Sequence, residues 1–265
     1  MKFLKNPLLW GSISVGVILI LTIGLIQGPS YVLSQVKDSL FNYQLSWSPL
    51  PNFGYEVTYI DNDGDSMAVW DLENKSETEE VIIYLHGNGG KIIPHIQEMQ
   101  QFGRVISPAY PGYHDSEGRP TPENVRNTGV LTFDYLVEEE GVDPQNITIF
   151  GQSLGGSPAM YTASQRSQAK QVVVVNTFSS VQSMCQRQVP IFCGQTENIL
   201  NSEQYAQNIE IPTHVFIYEN DSIIHPEEGK TLFQAIASSD KEQHSLEKYS
   251  HTYFDVEEVF NTISR

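Results

Sequence analysis

Between the apolar run Ile147 to Phe150 and a segment of small residues stands Gly151-Gln152-Ser153-Leu154-Gly155-Gly156, a GxSxG sequence. Glycine on both sides of the serine suits a strand-to-helix elbow, because the serine sits there in a strained, exposed conformation and a Cβ two residues away would collide with the crowded turn. The helix that follows brings backbone N–H groups beside the hydroxyl. An ordinary serine N-cap would explain the serine but not the glycines at both spacings. A serine hydroxyl becomes a nucleophile only when a base takes its proton, so a histidine, and a carboxylate to orient it, must follow. Asp221 comes just after the run Thr213 to Tyr218, and His251 just after Tyr249. The order Ser153, Asp221, His251 fits a sheet whose carboxyl edge carries the chemistry. Asp240, Asp255, Glu219 and Glu210 compete with Asp221. His225 is the strongest rival to His251, whereas His214 and His244 fall at strand starts, the wrong edge.

An acyl-transfer reaction also needs two N–H donors aimed at the oxyanion of its tetrahedral intermediate. Leu154, the residue after the nucleophile, supplies one. The loop His86-Gly87-Asn88-Gly89-Gly90 supplies the other, with Asn88 the expected donor and His86 expected to be a structural hydrogen-bonder. This loop lacks the Lys-Ser/Thr of a phosphate-binding loop and the spacing of a dinucleotide fingerprint, so no cofactor is expected. The seven histidines and two cysteines show no HExxH or CxxC spacing, and no metal site is expected.

These residues need a scaffold. Two β-like stretches, Tyr55 to Ile60 and Ser66 to Leu72, flank the turn-forming Asp61-Asn62-Asp63-Gly64. Strands then alternate with helices. The strands are expected at Val81 to Leu85, Arg104 to Ser107, Ile147 to Phe150, Val172 to Val175, Thr213 to Tyr218 and Ser245 to Tyr249. The helices are expected at His95 to Phe102, Glu123 to Glu140, Leu154 to Arg166, Pro226 to Ala237 and Asp255 to Ile263, with a further helix near Glu197 to Gln207. Short, nearly all-apolar strands between helices mean an α/β class fold with a mostly parallel central sheet covered on both faces. Residues 176–212 leave room for a short lid or for a simple crossover. Cys185 and Cys193 in that stretch either close a short loop, contributing ~2 to 3 kcal/mol in an oxidising compartment, or are two unrelated thiols.

Taken together, HGNGG, Tyr110-Pro111-Gly112-Tyr113 with Ser116-Glu117-Gly118, GQSLGG, Asp221 with Ile224-His225-Pro226, and His251 resemble the motifs of an α/β-hydrolase, in order and from about residue 55 onward. The chain is similar in particular to small membrane-anchored serine hydrolases with short lids, a subgroup that includes lysophospholipid and monoacylglycerol lipases and protein depalmitoylases. In that subgroup the fourth-strand motif usually reads YxGYGxSxG, whereas His114-Asp115 stand here. The final histidine there usually follows a small residue and precedes Asn, whereas Ser250 and Thr252 flank His251. The resemblance implies hydrolysis of acyl esters or thioesters, with a small-molecule or lipid ester as partner. The alternatives are a serine peptidase, which would normally carry a large gating domain, and a non-catalytic binding protein, which has no need of a strained elbow.

The remainder of the chain concerns location. Leu8 to Ile26 carry no charge and would make about 28 Å of helix, close to bilayer hydrocarbon thickness. This run is longer than the 7 to 15 apolar residues of about the usual signal peptide, so residues 1–29 read as a transmembrane anchor, 30–52 as a tether and 53–265 as the catalytic domain. The formal charge is −17. Only Lys2 and Lys5 precede the span, so the other basic residues, 15 less those two, face all 32 acids and leave the body at −19. Such a body repels phosphate backbones, which excludes nucleic acid as a partner. The basic flank puts the N-terminus in the cytoplasm and the body on the extracytoplasmic side. The chain should therefore pellet with membranes. A fusion reporter joined after Arg265 that works only in the cytoplasm would reverse this orientation, and a mature chain beginning at Gln35 would replace the anchor with a cleaved signal peptide.

Overall fold

The computed structural model describes residues 41, 54–88, 92–188, 193, 199–248, 251 and 253–264. The apolar run Leu8 to Ile26 lies outside them, as does the tether apart from Phe41, which is buried in the core. Among the described residues no helix is long and apolar enough to cross a membrane.

The chain opens with a hairpin, β1 (Tyr55–Asn62) and β2 (Asp65–Leu72). Its turn is Asp63-Gly64, both with positive φ (57° and 90°), the backbone that lets a two-residue loop follow the twist of the strands. There follow β3 (Val81–Leu85), α1 (Ile92–Met99), β4 (Arg104–Pro108), α2 (Pro122–Glu138), β5 (Ile147–Gln152) and α3 (Gly156–Gln165). The rest is β6 (Gln171–Val175), α4 (Val181–Gln188), α5 (Ser202–Ala206), β7 (Thr213–Tyr218), α6 (Pro226–Ala235), β8 (Lys241–Leu246) and α7 (Val256–Ile263). The eight strands form one sheet in the order β1-β2-β4-β3-β5-β6-β7-β8. The β1–β2 and β2–β4 pairs are antiparallel and every later pair is parallel.

Burial follows from position in that order. Every residue of β3 and β5 is buried, because these strands lie mid-sheet with helices on both faces. The outermost β8, Lys-Glu-Gln-His-Ser-Leu, has no fully buried residue. Alternation along β5 separates the two helical layers. A Cβ built on Gly151 would touch Ala159 of α3, whereas the Phe150 ring stacks on Phe254 and on Phe260 of α7, with centroids 5.5 and 5.9 Å apart. On the first side α2, α3, α5 and α6 pack in succession; on the second, α1 packs against α7. Helix α2 starts at a capping box, Thr121 with Asn124, with Pro122 in its first turn.

Two expectations from the sequence shift. The last strand runs from Lys241 to Leu246 rather than from Ser245 to Tyr249, because its ladder with β7 begins at Thr213↔Lys241 and ends at Tyr218↔Leu246. The first helix begins at Ile92, three residues ahead of His95, with Pro94 in the first turn where a missing N–H leaves no helical bond unmade. Helix α4 was not expected, and Cys185 within it is joined to Cys193 by a disulfide, so the paired reading of these cysteines holds.

Candidate active site

The site begins with the turn after β5. Ser153 has φ 53°, a left-handed backbone that a non-glycine residue rarely adopts. Its surroundings enforce that conformation. A Cβ on Gly155 would lie 1.9 Å from the Leu85 carbonyl oxygen, and one on Gly151 would lie 2.5 Å from the Gly155 carbonyl oxygen, so β3, β5 and α3 meet at van der Waals distance only because both positions are glycine. A Cβ on Gly156 would lie 2.1 Å from the Thr177 hydroxyl. That hydroxyl donates to the Ser153 carbonyl at 2.8 Å and holds the elbow against the loop after β6.

The other two predicted residues arrive from the neighbouring strand ends. Asp221 follows β7 in a tight turn closed by its own N–H donating to the Tyr218 carbonyl at 3.0 Å. Its Oδ1 accepts from the backbone N–H groups of Ile223 and Ile224 at 2.8 and 2.9 Å, which fixes the carboxylate plane. The Oδ2 atom then accepts from His251 Nδ1 at 2.7 Å, and the Asp221 side chain is 1% exposed. With Nδ1 donating to a carboxylate, His251 Nε2 is the acceptor, and Ser153 Oγ lies 2.9 Å from it. Phe254, three residues beyond His251, is fully buried on Phe150, three residues before Ser153, so one aromatic contact ties the His251 segment to the strand that leads into the serine.

The loop after β3 lies against the serine as expected. A Cβ on Gly87 would fall 3.3 Å from Ser153 Cβ and 3.8 Å from its Oγ. Asn88 Oδ1 accepts from the Tyr113 hydroxyl at 2.6 Å, which fixes the Asn88 side chain. Leu154 is buried in the single 3-10 turn (Ser153–Gly155) that opens α3. His86 is fully buried, donates from Nδ1 to the Gly87 carbonyl at 2.8 Å, and stacks near Tyr110; burial pushes its pKa down to about 4, against the raising effect of that bond. It is the structural residue that the sequence suggested. His225, the rival base, instead caps α6, its Nδ1 accepting from the Glu227 N–H at 3.3 Å. Of the carboxylate rivals, Asp240 lies before β8, Asp255 caps α7 and Glu219 pairs with Lys230, while the carboxylate bonded to His251 is that of Asp221.

Two features were invisible in the sequence. Asn176 also has positive φ (47°), and its Oδ1 accepts from the Tyr218 N–H at 2.9 Å, bracing the end of β7 from which Asp221 departs. Glu228 of α6 has a fully buried side chain and receives the hydroxyls of Ser179 and Ser183, the Ser179 N–H and Arg187 Nε, at 2.6 to 3.1 Å. Burial alone would raise its pKa, but these bonds hold the carboxyl below its ordinary value. This cluster fixes α4, the start of the segment read as a lid, beside the Asp221 turn. Among the described residues, two large apolar side chains close in sequence to Asp221 and His251 stand exposed: Ile223 at 54% and Tyr253 at 48%.

A hairpin, then a parallel sheet in the order seen here with helices on both faces and a serine elbow after β5, is the α/β-hydrolase fold. A solved esterase of Pyrococcus furiosus superposes with a TM-score of 0.64 at 16% identity, over 83% of this chain and 93% of that one. The chain is also 26% identical over 227 residues to a putative alpha/beta hydrolase of Acanthamoeba polyphaga mimivirus, covering 77% of this chain and 82% of the relative. It is 28% identical over 206 residues to an uncharacterized membrane protein of Saccharomyces cerevisiae, covering 74% and 72%. No family model matches the chain.

The elbow yields a direct test. Because the clash of a Gly155 Cβ is with backbone, no side-chain rotation relieves it, and Gly155→Ala should cost ~3 kcal/mol or more of stability. Chemical denaturation of the variant should show that loss. A midpoint equal to wild type would mean that β3 and the elbow do not approach as described.

Proposed function

We propose that the protein is a serine hydrolase of carboxylic esters or thioesters. The observation that carries this reading is the continuous relay from Ser153 Oγ to His251 Nε2 at 2.9 Å and from His251 Nδ1 to Asp221 at 2.7 Å, built on a serine held in a strained elbow. Ser153 Oγ attacks the acyl carbon while His251 takes its proton, and the Asp221 carboxylate keeps the ring oriented and offsets the charge it gains. The N–H groups of Leu154 and Asn88 receive the oxyanion. Collapse breaks the acyl–oxygen or acyl–sulfur bond, and the departing alcohol or thiol takes the proton from His251. Water then repeats the sequence on the acyl-enzyme, releasing the acid and restoring the serine. The similarity in fold to a solved esterase supports the class of reaction.

The substrates proposed are uncharged or zwitterionic acyl esters presented at a bilayer surface. Ile223 and Tyr253 give the site an apolar rim beside Asp221 and His251, while a net charge of −17 repels anionic head groups. Residues 1–29 would anchor the enzyme with its body outside the cytoplasm. The Cys185–Cys193 disulfide supports an oxidising compartment, and the yeast relative's name as a membrane protein supports the anchor.

Kinetics test both parts. His251→Ala should lower kcat by about 10³-fold or more. His225→Ala should lose only a helix cap and stay within a few-fold of wild type. A severe His225 variant with a mild His251 variant would reassign the base. Across p-nitrophenyl esters, kcat/KM should climb from acetyl toward medium or long chains, since each buried CH₂ adds up to ~0.8 kcal/mol of binding. A steady fall beyond butyryl would contradict a lipid-like substrate.

A further inference from the structure

Far from the triad, at the outer edge of the sheet, three side chains converge. Glu242 and His244 stand two apart on β8 and so share a face, and His214 is the residue of β7 paired directly with Glu242. His214 Nδ1 lies 3.3 Å from His244 Nε2, and that nitrogen lies 3.6 Å from Glu242 Oε2. One nitrogen or oxygen from each residue falls within 4.8 Å of the other two. Ligand atoms held about 2.0 to 2.1 Å from a tetrahedral ion must stand about 3.3 Å from one another, which matches the two nitrogens and leaves Glu242 a small rotation away. From these distances we infer that His214, Glu242 and His244 form a zinc site that ties the edge strand β8 to β7, with water in the fourth position.

The chemistry of the surroundings favours a cation there. The His244 ring is stacked on Phe216, centroids 4.4 Å apart, so its orientation is set before any ligand arrives. Both imidazoles are partly buried, and an imidazole binds a metal through a ring nitrogen that carries no proton. Asp240 and Glu242 add negative charge beside them. The nearest cation in sequence, Lys241, points to the opposite face, where its Nζ donates to the carbonyls of Phe233 and Ile236 at the end of α6. A hydrogen bond between two neutral imidazoles accounts for the 3.3 Å contact, and the carboxylate 3.6 Å from the same nitrogen adds the third donor that a metal ion needs. Two imidazoles and one carboxylate suit zinc and not magnesium or calcium, which take oxygen ligands.

Such a site would be structural. Strand β8 is the exposed edge of the sheet, and His251 follows it by a few residues, so a clamp at its start stabilises the frame of the base without touching the reaction. Melting curves of the full-length chain, purified without a polyhistidine tag and stripped with a chelator, read this directly. Zinc should raise the melting temperature by about 5 to 10 °C when free zinc exceeds its dissociation constant 100-fold, and magnesium should not. His214→Gln and His244→Gln should abolish the zinc-dependent rise. Glu242→Gln changes an exposed side chain, keeps the fold in place, and should weaken zinc binding at least 10-fold. Cobalt(II) provides a second readout on wild type: one equivalent should give the intense visible bands of a four-coordinate ion. No rise with zinc, an equal rise in the variants, or the pale spectrum of hexa-aquo cobalt would each overturn the site.

Discussion

Everything at the candidate site depends on one crowded turn. Ser153 adopts a left-handed backbone because β5 ends against the start of α3 with only glycine hydrogens between them and the carbonyls of Leu85 and Gly155. That arrangement costs conformational freedom and local strain, which the buried strands on either side offset. In return the hydroxyl projects from the carboxyl edge of the sheet, beside the helix N-terminus and the Gly87-Asn88 loop. The supports are equally local: Thr177 holds the Ser153 carbonyl, Asn176 braces β7, and the two N–H groups of Ile223 and Ile224 fix the Asp221 carboxylate. The Phe150–Phe254 stack then couples the elbow to the loop that carries His251.

The placement of α4 and of the exposed Ile223 follows from the same frame. Helix α4 is fastened at its base by Glu228, a buried carboxylate whose partners all come from the segment that begins after β6. Removing one partner would leave a buried carboxylate short of a hydrogen bond, so this anchor is fixed rather than hinged. Beside it, Ile223 emerges from the very turn that orders Asp221, which sets an apolar side chain within the approach to the triad. Strand ends therefore carry Ser153 and Asp221 together with the exposed Ile223.

Much of this was legible in the residues. The elbow could be read because a strained serine demands glycine at two fixed positions, and the hairpin because Asp63-Gly64 satisfies a tight turn. The order Ser153, Asp221, His251 picks out three side chains that the structure joins by hydrogen bonds, and His214 at a strand start lies at the other edge of the sheet. What escaped notice had weaker local signals. The sequence points to Ser245 to Tyr249 rather than to β8 because Lys-Glu-Gln-His-Ser-Leu is polar, as an edge strand permits, and only pairing with β7 sets its register. Helix α4 is short and polar, stabilised by a tertiary partner on α6. In the convergence of His214 with Glu242 and His244 only the two-residue step along β8 is local, since the strand ladder brings in His214 from far away in the chain. Searching for HExxH and CxxC cannot find it.

The account stands or falls on Ser153 as the nucleophile of the elbow. Its most direct measurement is reaction of the folded, full-length chain with a fluorophosphonate, followed by tandem mass spectrometry of the labelled peptide. The account predicts a single adduct on Ser153 in wild type and none in a Ser153→Ala variant that melts like wild type. Labelling of that variant at the wild-type rate, or an adduct mapped to another residue, would contradict it.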